Sequence, residues 1–437
     1  MNITMQRARG LRALIFCGLL GAVAVASADA VTDWNEITLA AVSAPTGRPG
    51  PIGAVDIALV HIAIHDAVQA IERRYEPYHF ELKGATGRRA AAVAAAARDM
   101  LVGMYPAQAT SLNDTYLLYL ANNGLTDDPG IAVGQAAAAN ILPLRRVNPN
   151  PLPPPFNGVP NPGPGDWRPT NSLLGNPPAP PPFASMATPW LGEFDPFTLT
   201  SPRRFRAQPP PALTSERYRR DYDEVKALGS LTSATRTPEQ TDLAYFYSDN
   251  FFTQWNRALR AISARHLHRI GDSARLFALA NMATADAVIT SWDSKKFYSF
   301  WRPITAIAEG DNDGNPNTGG DPAWQPLINT PNYPDYTSGA NNVTGAMTRT
   351  LALFFGTDWC TFEVTSLAPQ AVQKTRTYHR FSDAARDVVE ARILLGIHFR
   401  FADTAARAQG ESVAEWAGRR FLLPLRGGHH RFDEDGN

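Results

Sequence analysis

Residues 88–101 read RRAAAVAAAARDML, and this stretch indicates a helix because alanine favours helix more strongly than any other residue. The helical pattern continues on both sides of it. Apolar residues recur with a helical period before it and after it, at Ile57, Ile62, Ala63, Ala67, Ile71, Leu112, Tyr116 and Leu120. Strand-like alternation is almost absent from residues 32–146. These observations predict an all-α fold, with an N-terminal helical half at residues 31–147.

The composition changes sharply between residues 148 and 213. Prolines cluster at positions 151, 153–155, 180–182 and 209–211, which forbids regular helix or central strand. The same segment contains four large aromatic residues, Trp167, Trp190, Phe194 and Phe197, which a disordered linker would rarely carry. We therefore predict an extended, proline-rich strap at residues 148–213 that joins two helical halves.

Helical signals resume near Thr214 and continue to about Leu425. Thr237, Pro238 and Gln240 form a capping box with proline at the first helical position, and the helix is expected to run through Tyr245 to Trp255. Further helices are predicted over residues 273–292, over a stretch from residue 382 through 393, and along an apolar stripe at Val343, Met347, Leu351 and Phe354. Residues 214–425 are thus predicted to form a second helical bundle.

The first thirty residues have the features of a signal peptide. A basic start with Arg7, Arg9 and Arg12 precedes an apolar run from Ala13 to Ala26, and residues 28–30 (Ala-Asp-Ala) suit a signal peptidase. The apolar run is short for a membrane span, although a retained anchor is the alternative. We expect a secreted or periplasmic protein with no membrane span after cleavage of residues 1–30, ending in a polar tail at 426–437.

Charge and cysteine content narrow the possible partners. Lysine plus arginine number 41, and aspartate plus glutamate also number 41. This balance gives no support for a nucleic-acid partner, so a positive pocket must be built by a few convergent residues. Cys360 is the one cysteine after residue 30, and it cannot form an internal disulfide.

Three clusters in the second half are hard to explain by packing. The first is KKFYSFWRP at residues 295–303. Lys295 and Arg302 are seven positions apart, which would place both on one face of a helix, and Pro303 disfavours helix beyond them. Two cations on one stripe are either a surface pair or half of an anion clamp.

The second and third clusters each contain a possible anion contact. Ser338 and Gly339 precede the helix that carries Val343, and a Ser-Gly step at a helix start is either an ordinary cap or an anion cradle. Arg392 and His398 are six positions apart, so they converge only if the helix ends or bends near Gly396. A single histidine in an apolar stretch is either structural or functional.

In this order, the three clusters resemble the signature of the vanadium-dependent haloperoxidase and type 2 phosphatidic acid phosphatase (PAP2) superfamily. Its pattern is K-x6-R-P, then P-S-G-H, then S-R-x5-H-x3-D. The resemblance is to secreted bacterial members and implies a helical-bundle oxidoreductase that binds vanadate, or phosphate in the same pocket. The matching positions are Lys295, Arg302, Pro303, Ser338, Gly339, Arg392 and His398.

The resemblance also implies a role for each matching residue. Lys295, Arg302 and Arg392 would neutralise the oxygens of the bound anion, while Ser338 and the Gly339 N–H would add hydrogen bonds. His398 would bind vanadium, and Lys295 would polarise the peroxide. The implied reaction is oxidation of halide by hydrogen peroxide. The alternative is hydrolysis of a small phosphoester, a phosphomonoester, through a phosphohistidine at His398.

Several positions depart from this signature. Thr337, Ala391 and Ala402 replace a proline, a serine and the final aspartate of the pattern; Asp403, one position later, is expected to take over the hydrogen bond to His398. Ala340 replaces the second histidine, the usual acid–base group, whose help is commonly worth about 10²–10⁴ in rate. Asn341, Asn342 and His379 are candidate substitutes. A catalytically weak oxyanion-binding protein is therefore the third alternative.

Overall fold

The computed structural model describes residues 29–48, 50–144, 155–170 and 186–425. The predicted signal peptide up to residue 28, the end of the N-terminal half at residues 145–147, parts of the strap at residues 148–154 and 171–185, and the polar tail at 426–437 lie outside the described residues. Within the described part, the predicted all-α class is confirmed, because the body is helical and is accompanied by two short strands.

Five helices form the N-terminal half. They are α1 (Ala30–Ser43), α2 (Pro51–Glu72), α3 (Arg89–Met104), α4 (Ala109–Asn122) and α5 (Gly130–Ile141). The alanine-rich stretch that predicts helix is α3, whose alanines from 91 to 97 are buried. Their small side chains allow α2 and α5 to pack closely against α3.

The second half contains eight helices and a hairpin. They are α6 (Glu216–Leu228), α7 (Pro238–Phe246), α8 (Phe251–His266), α9 (Ile270–Tyr298), α10 (Pro303–Ala308), α11 (Gly339–Phe355), β1 (Trp359–Thr365), β2 (Thr375–Arg380), α12 (Phe381–Leu394) and α13 (Arg400–Gly418). The predicted stripe of α11 is buried as expected, with Val343, Met347 and Leu351 fully inside. Helix α11 packs between α9 and α13.

Helix α2 is long and apolar enough to cross a membrane, yet 94% of its apolar window is buried inside the protein. It packs against α9, and a helix that is apolar on all sides is expected at the centre of a large helical fold. Its two histidines are held by neighbours. His61 Nε2 lies 2.8 Å from the amide nitrogen of Asn35, and His65 Nε2 lies 3.0 Å from the carbonyl oxygen of Glu76.

The prediction of one helix from Thr237 through Trp255 is wrong. The capping box forms, with the Thr237 hydroxyl accepting from the Gln240 N–H at 3.2 Å, but α7 and α8 are separate helices. The side chain of Asn250 caps α8 by accepting from two backbone N–H groups. An asparagine side chain competes in this way with continued helix, and it produces the break.

The antiparallel hairpin β1–β2 between α11 and α12 was not predicted. Its strands pair from Trp359 opposite Arg380 to Thr365 opposite Thr375. Phe362 and Tyr378 lie opposite each other on its buried face, with ring centroids 5.8 Å apart. These strands are too short and too isolated to produce a strong periodic signal.

The described parts of the strap contain two short 3₁₀ turns, Pro189–Glu193 and Pro202–Phe205, and are otherwise irregular. Trp167, Leu191 and Phe197 are buried against the helices. Asp286 of α9 accepts from the backbone N–H groups of Phe197 and Thr198 at 2.5 and 2.7 Å. The strap is therefore docked along α9, and helices on both sides of it share one hydrophobic core.

Helix α4 offers a matched pair for testing this core. Leu120 is 3% exposed whereas Leu117 is 60% exposed. We expect Leu120→Ala to lower the free energy of unfolding by about 2–5 kcal/mol, because it leaves a cavity, and Leu117→Ala to change it little. Urea denaturation of both variants measures this difference. Equal losses would contradict the described packing of α4.

Candidate functional site

The end of α9 determines how Lys295 and Arg302 are placed. The sequence predicted both on one face of a single helix, and this is wrong. The helix ends at Tyr298, Ser299 adopts a left-handed conformation with φ +43°, and Arg302 caps the start of α10, whose first residue is Pro303. The reversal still brings the two cations together, because both side chains turn towards the loop before α11.

Backbone carbonyls of that loop receive both cations. Lys295 Nζ donates to the carbonyl oxygens of Pro334 and Asp335 at 2.6 and 3.1 Å. Arg302 Nε donates to the carbonyl oxygen of Tyr333 at 2.8 Å. The Tyr333 ring also lies 4.8 Å from Lys295 Nζ and 4.7 Å from the Arg302 guanidinium carbon. The loop thus binds both side chains, and both are fully buried.

Arg392 and His398 approach the same loop from α12. The helix ends at Leu394, and Gly396 turns the chain with φ +76°. A Cβ on Gly396 would lie 2.3 Å from the carbonyl oxygen of Gly229, so only glycine fits there. The helix thus ends near Gly396, which is the condition under which Arg392 and His398 were expected to converge.

His398 lies between a carboxyl group and a guanidinium group. Its Nδ1 lies 2.7 Å from Asp335 Oδ1, and its Nε2 lies 3.1 Å from Arg302 Nη1. Arg302 Nη1 also donates to the carbonyl oxygen of Ile397 at 2.6 Å. The Asp335 contact favours the tautomer that carries its proton on Nδ1, and the Nε2 lone pair then faces the guanidinium of Arg302.

Ser338 and Gly339 lie at the start of α11. Ser338 is the N-cap residue, but its hydroxyl makes no capping hydrogen bond to the helix. A Cβ on Gly339 would lie 3.2 Å from Cζ3 of Trp292, so the glycine lets the indole of α9 pack against this helix end. A free hydroxyl together with a helix N-terminus suits an anion.

The three candidate substitutes for the missing histidine contact different partners. His379 is exposed on β2, 3.0 Å from the hydroxyl of Thr361, and it cannot serve a buried site. Asn342 donates to Gln409 Oε1 at 2.6 Å. Asn341 donates to Asp403 Oδ1 at 2.7 Å. Of the three, Asn341 alone contacts a titratable group in these hydrogen bonds.

The expectation that Asp403 holds His398 is wrong. Asp403 lies in the first turn of α13 and accepts from Asn341, whereas Asp335 contacts Nδ1 of His398. The shift of one position along α13 turns the carboxyl about 100° around the helix axis, towards the start of α11.

Burial dominates the protonation of the basic groups. It lowers the pKa values of Arg302 and Arg392, and guanidinium groups nevertheless remain charged. Burial and the charge of Arg302 hold the pKa of Lys295 well below its usual range. Burial and the three nearby cations likewise lower the pKa of His398, so its imidazole is neutral at pH 7.

The two buried carboxyls show the opposite shift. Burial raises the pKa of Asp335 to about 7, although Arg302 and Lys295 oppose the shift. Burial raises the pKa of Asp403 to about 8; Ser338, Arg392 and Asn341 oppose it, and Asp335 adds to it. Perturbed groups of both signs in one buried cluster are typical of functional sites.

A tetrahedral oxyanion, vanadate or phosphate, fits the donors of this cluster. Three buried donor atoms have no hydrogen-bond partner among the described residues: Arg302 Nη2, Arg392 Nε and Ser338 Oγ. Buried donors without partners are costly, and an anion with several oxygens would satisfy them together. The donor set, two guanidinium groups, an amine and a hydroxyl, suits an oxyanion and not a bare cation.

The structure adds two residues that sequence reasoning missed. Asp335 orients His398, and Tyr333 covers Lys295 and Arg302. Both lie within five positions of Ser338, so a carboxyl and an aromatic ring beside the predicted cradle were the available signal. Nothing in the local sequence indicated that Asp335 would meet a residue from the end of α12.

The fold is similar to the helical-bundle fold of the vanadium haloperoxidases. Residues 275–426 match the model of the VCPO second helical-bundle domain. These residues contain every position of the sequence signature, from Lys295 to His398. The resemblance to this family is thereby confirmed.

Individual relatives agree with this match. The vanadium chloroperoxidase of Curvularia inaequalis is 27% identical over 277 residues, which cover 48% of this chain and 44% of that enzyme. A bacterial vanadium-dependent iodoperoxidase aligns with a TM-score of 0.73 at 22% identity, over 90% of this chain and 95% of its own. An apo-type bacterial vanadium-dependent chloroperoxidase aligns with a TM-score of 0.68 at 18% identity, over 88% and 96%. The structural matches establish the fold.

The raised pKa values of the two carboxyls predict how stability depends on pH. In the unfolded chain each group loses its proton near pH 4, whereas in the folded protein Asp335 keeps it to about pH 7 and Asp403 to about pH 8. Each contribution to stability is therefore fully present below about pH 4 and is lost as the pH rises through those values.

We expect Asp335→Asn and Asp403→Asn each to reduce this loss, since the amide does not ionise. Urea denaturation at pH 5 and pH 8.5, in phosphate-free buffer, measures the unfolding free energy of the wild type and both variants. Wild-type pH dependence in both variants would show that these carboxyls titrate normally.

Proposed function

We propose that this protein is a vanadate-dependent haloperoxidase, which oxidises halide with hydrogen peroxide. The observation that carries the proposal is the buried cluster in which Lys295, Arg302 and Arg392 surround a neutral His398, with donor atoms that have no hydrogen-bond partner among the described residues. The similarity of this chain to proteins named vanadium chloroperoxidase and iodoperoxidase supports the same activity.

In this proposal the chain's residues hold and polarise the anion. Arg302 and Arg392 neutralise its oxygens, and Ser338 with the Gly339 N–H adds hydrogen bonds at the start of α11. His398 Nε2 would be the metal ligand, with Asp335 keeping the proton on Nδ1. Lys295 would direct its positive charge at the peroxide substrate. When bound, vanadate supplies Lewis-acid activation of hydrogen peroxide.

Export is part of the same proposal. The basic start, the apolar run and the small residues at 28–30 support cleavage of a signal peptide. The mature protein would then act in the periplasm or outside the cell, where small diffusible substrates such as halide and peroxide reach it directly.

The decisive test is vanadate-dependent bromination. Protein lacking residues 1–30 is purified in phosphate-free buffer, titrated with orthovanadate and assayed with hydrogen peroxide and bromide. We expect His398→Ala to abolish the activity, because it removes the metal ligand. His379→Ala is the matched control and should retain the activity, because His379 is exposed on β2.

The other outcomes identify the alternatives. A parallel sample without vanadate is assayed for phosphomonoester hydrolysis. Hydrolysis that vanadate inhibits, without bromination, would move the assignment to a phosphatase acting through His398. Absence of both activities, with vanadate still bound, would identify an oxyanion-binding protein.

Ala340 predicts slow turnover. Its methyl group is buried in the first turn of α11 and cannot transfer a proton. We expect Ala340→His to raise the bromination rate, by up to about 10²–10⁴ if the imidazole reaches the acid–base position. Rates are measured beside the thermal unfolding temperature, which reports whether the larger side chain is accommodated. A folded variant with no gain in rate would exclude position 340 as the missing acid–base position.

A further inference from the structure

The first turn of α11 faces a carboxyl group that the family resemblance did not assign to it. Ala340 lies between the cradle residues Ser338 and Gly339 and the polar Asn341. Asn341 donates to Asp403 Oδ1 at 2.7 Å, which joins α11 to the first turn of α13. Asp403 is fully buried. A titratable group therefore lies beside the turn from which the acid–base histidine is missing.

The carboxyl of Asp403 also lies near the cradle hydroxyl of Ser338. Asp403 Oδ2 and Ser338 Oγ are both buried, and neither has a hydrogen-bond partner of good geometry among the described residues. Ser338 is nevertheless close enough to lower the pKa of Asp403. Asp403 is therefore linked to Asn341 on one side and to Ser338, a donor of the anion site, on the other.

Asp403 also belongs electrostatically to the cation cluster. Its charge acts on Lys295 of α9 and on Arg302 before α10, and Arg392 of α12 acts on it in return. Asp335, in the loop before α11, repels it. His398 is neutral and is held by Asp335. These are the charged and titratable groups that surround Asp403 from the packed elements.

We propose that Asp403 is a proton-carrying positioning residue, which takes up a proton when an oxyanion binds and thereby frees Ser338 to donate to the anion. A serine hydroxyl has one hydrogen, so it can donate to an Asp403 carboxylate or to the anion, but not to both. Once protonated, the carboxyl keeps its bond from Asn341 on Oδ1 and donates from Oδ2 to Ser338 Oγ.

The charge of the cluster also favours proton uptake by Asp403 when an anion binds. Uptake of one proton by Asp403 makes the cluster more positive by one charge, which favours a divalent oxyanion. The proton comes from solvent and returns to it when the anion leaves. This inference rests on the proposed anion site but not on halide oxidation.

The test measures anion binding and not turnover. Sulfate, whose charge is constant between pH 6 and 10, is titrated into the full mature chain by calorimetry in buffers of different ionisation enthalpy, and orthovanadate is titrated in parallel. We expect the wild type to take up close to one proton per sulfate above pH 8, with affinity falling about tenfold per pH unit. Asp403→Asn should remove both the uptake and the pH dependence.

Two further variants separate Asp403 from its neighbours. Asp335→Asn should retain the proton uptake, because it removes the other buried carboxyl. Asn341→Ala should shift the fall in affinity to higher pH, since the bond from Asn341 lowers the pKa of Asp403. This second variant keeps the test decisive if Asp403→Asn does not fold. In a Ser338→Ala background, Asp403→Asn should have a smaller effect on affinity than it has in the wild type.

Three results would overturn the inference. They are undiminished proton uptake in Asp403→Asn, loss of the uptake in Asp335→Asn instead, and an unshifted pH dependence in Asn341→Ala. Failure of bromination with Asp403-dependent sulfate binding intact would reject the proposed oxidation and leave this inference standing. Absence of binding by both anions would reject both.

Discussion

Three cations, Lys295, Arg302 and Arg392, are buried in one small region, and their charge constrains everything around them. Removing an ion from water costs several kcal/mol even after relaxation, so each must find oxygen atoms inside the protein. Carbonyl groups at residues 247, 333, 334, 335 and 397 supply them, with the carboxyls of Asp335 and Asp403 nearby. These contacts tie the end of α9, the loop before α11 and the end of α12 to one another.

The apolar frame makes that arrangement possible. Helices α2 and α9 are buried along most of their length, and the alanine-rich face of α3 lets its neighbours approach closely. Such packing leaves the helix ends as the places where polar groups converge, because end groups are not satisfied within the helix. The cradle at Ser338 and the turn at Gly396 both lie at such ends, where glycine permits close approach.

The protonation of the cluster follows from the same burial. It keeps His398 neutral and raises the pKa values of both carboxyls towards neutrality. Because alanine stands at position 340, the proposed carrier of a proton is the buried carboxyl of Asp403, whose pKa is raised to about 8. Alanine stands at position 402, where the family pattern has aspartate, and the aspartate follows at position 403. This shift by one residue turns the carboxyl towards α11.

By itself, the sequence determined the helical class, and it predicted which residues would form an anion site. Alanine content, apolar periodicity and caps act over a few neighbouring residues, and the spacing of Lys295, Arg302, Ser338, Arg392 and His398 is a pattern along one chain. Only the tertiary structure decided that Arg302 lies beyond the end of α9, that Asp335 holds His398, and that Asp403 faces Asn341. Those contacts depend on the angles at which helix ends meet, and such angles result from packing across the whole core, which no local pattern encodes.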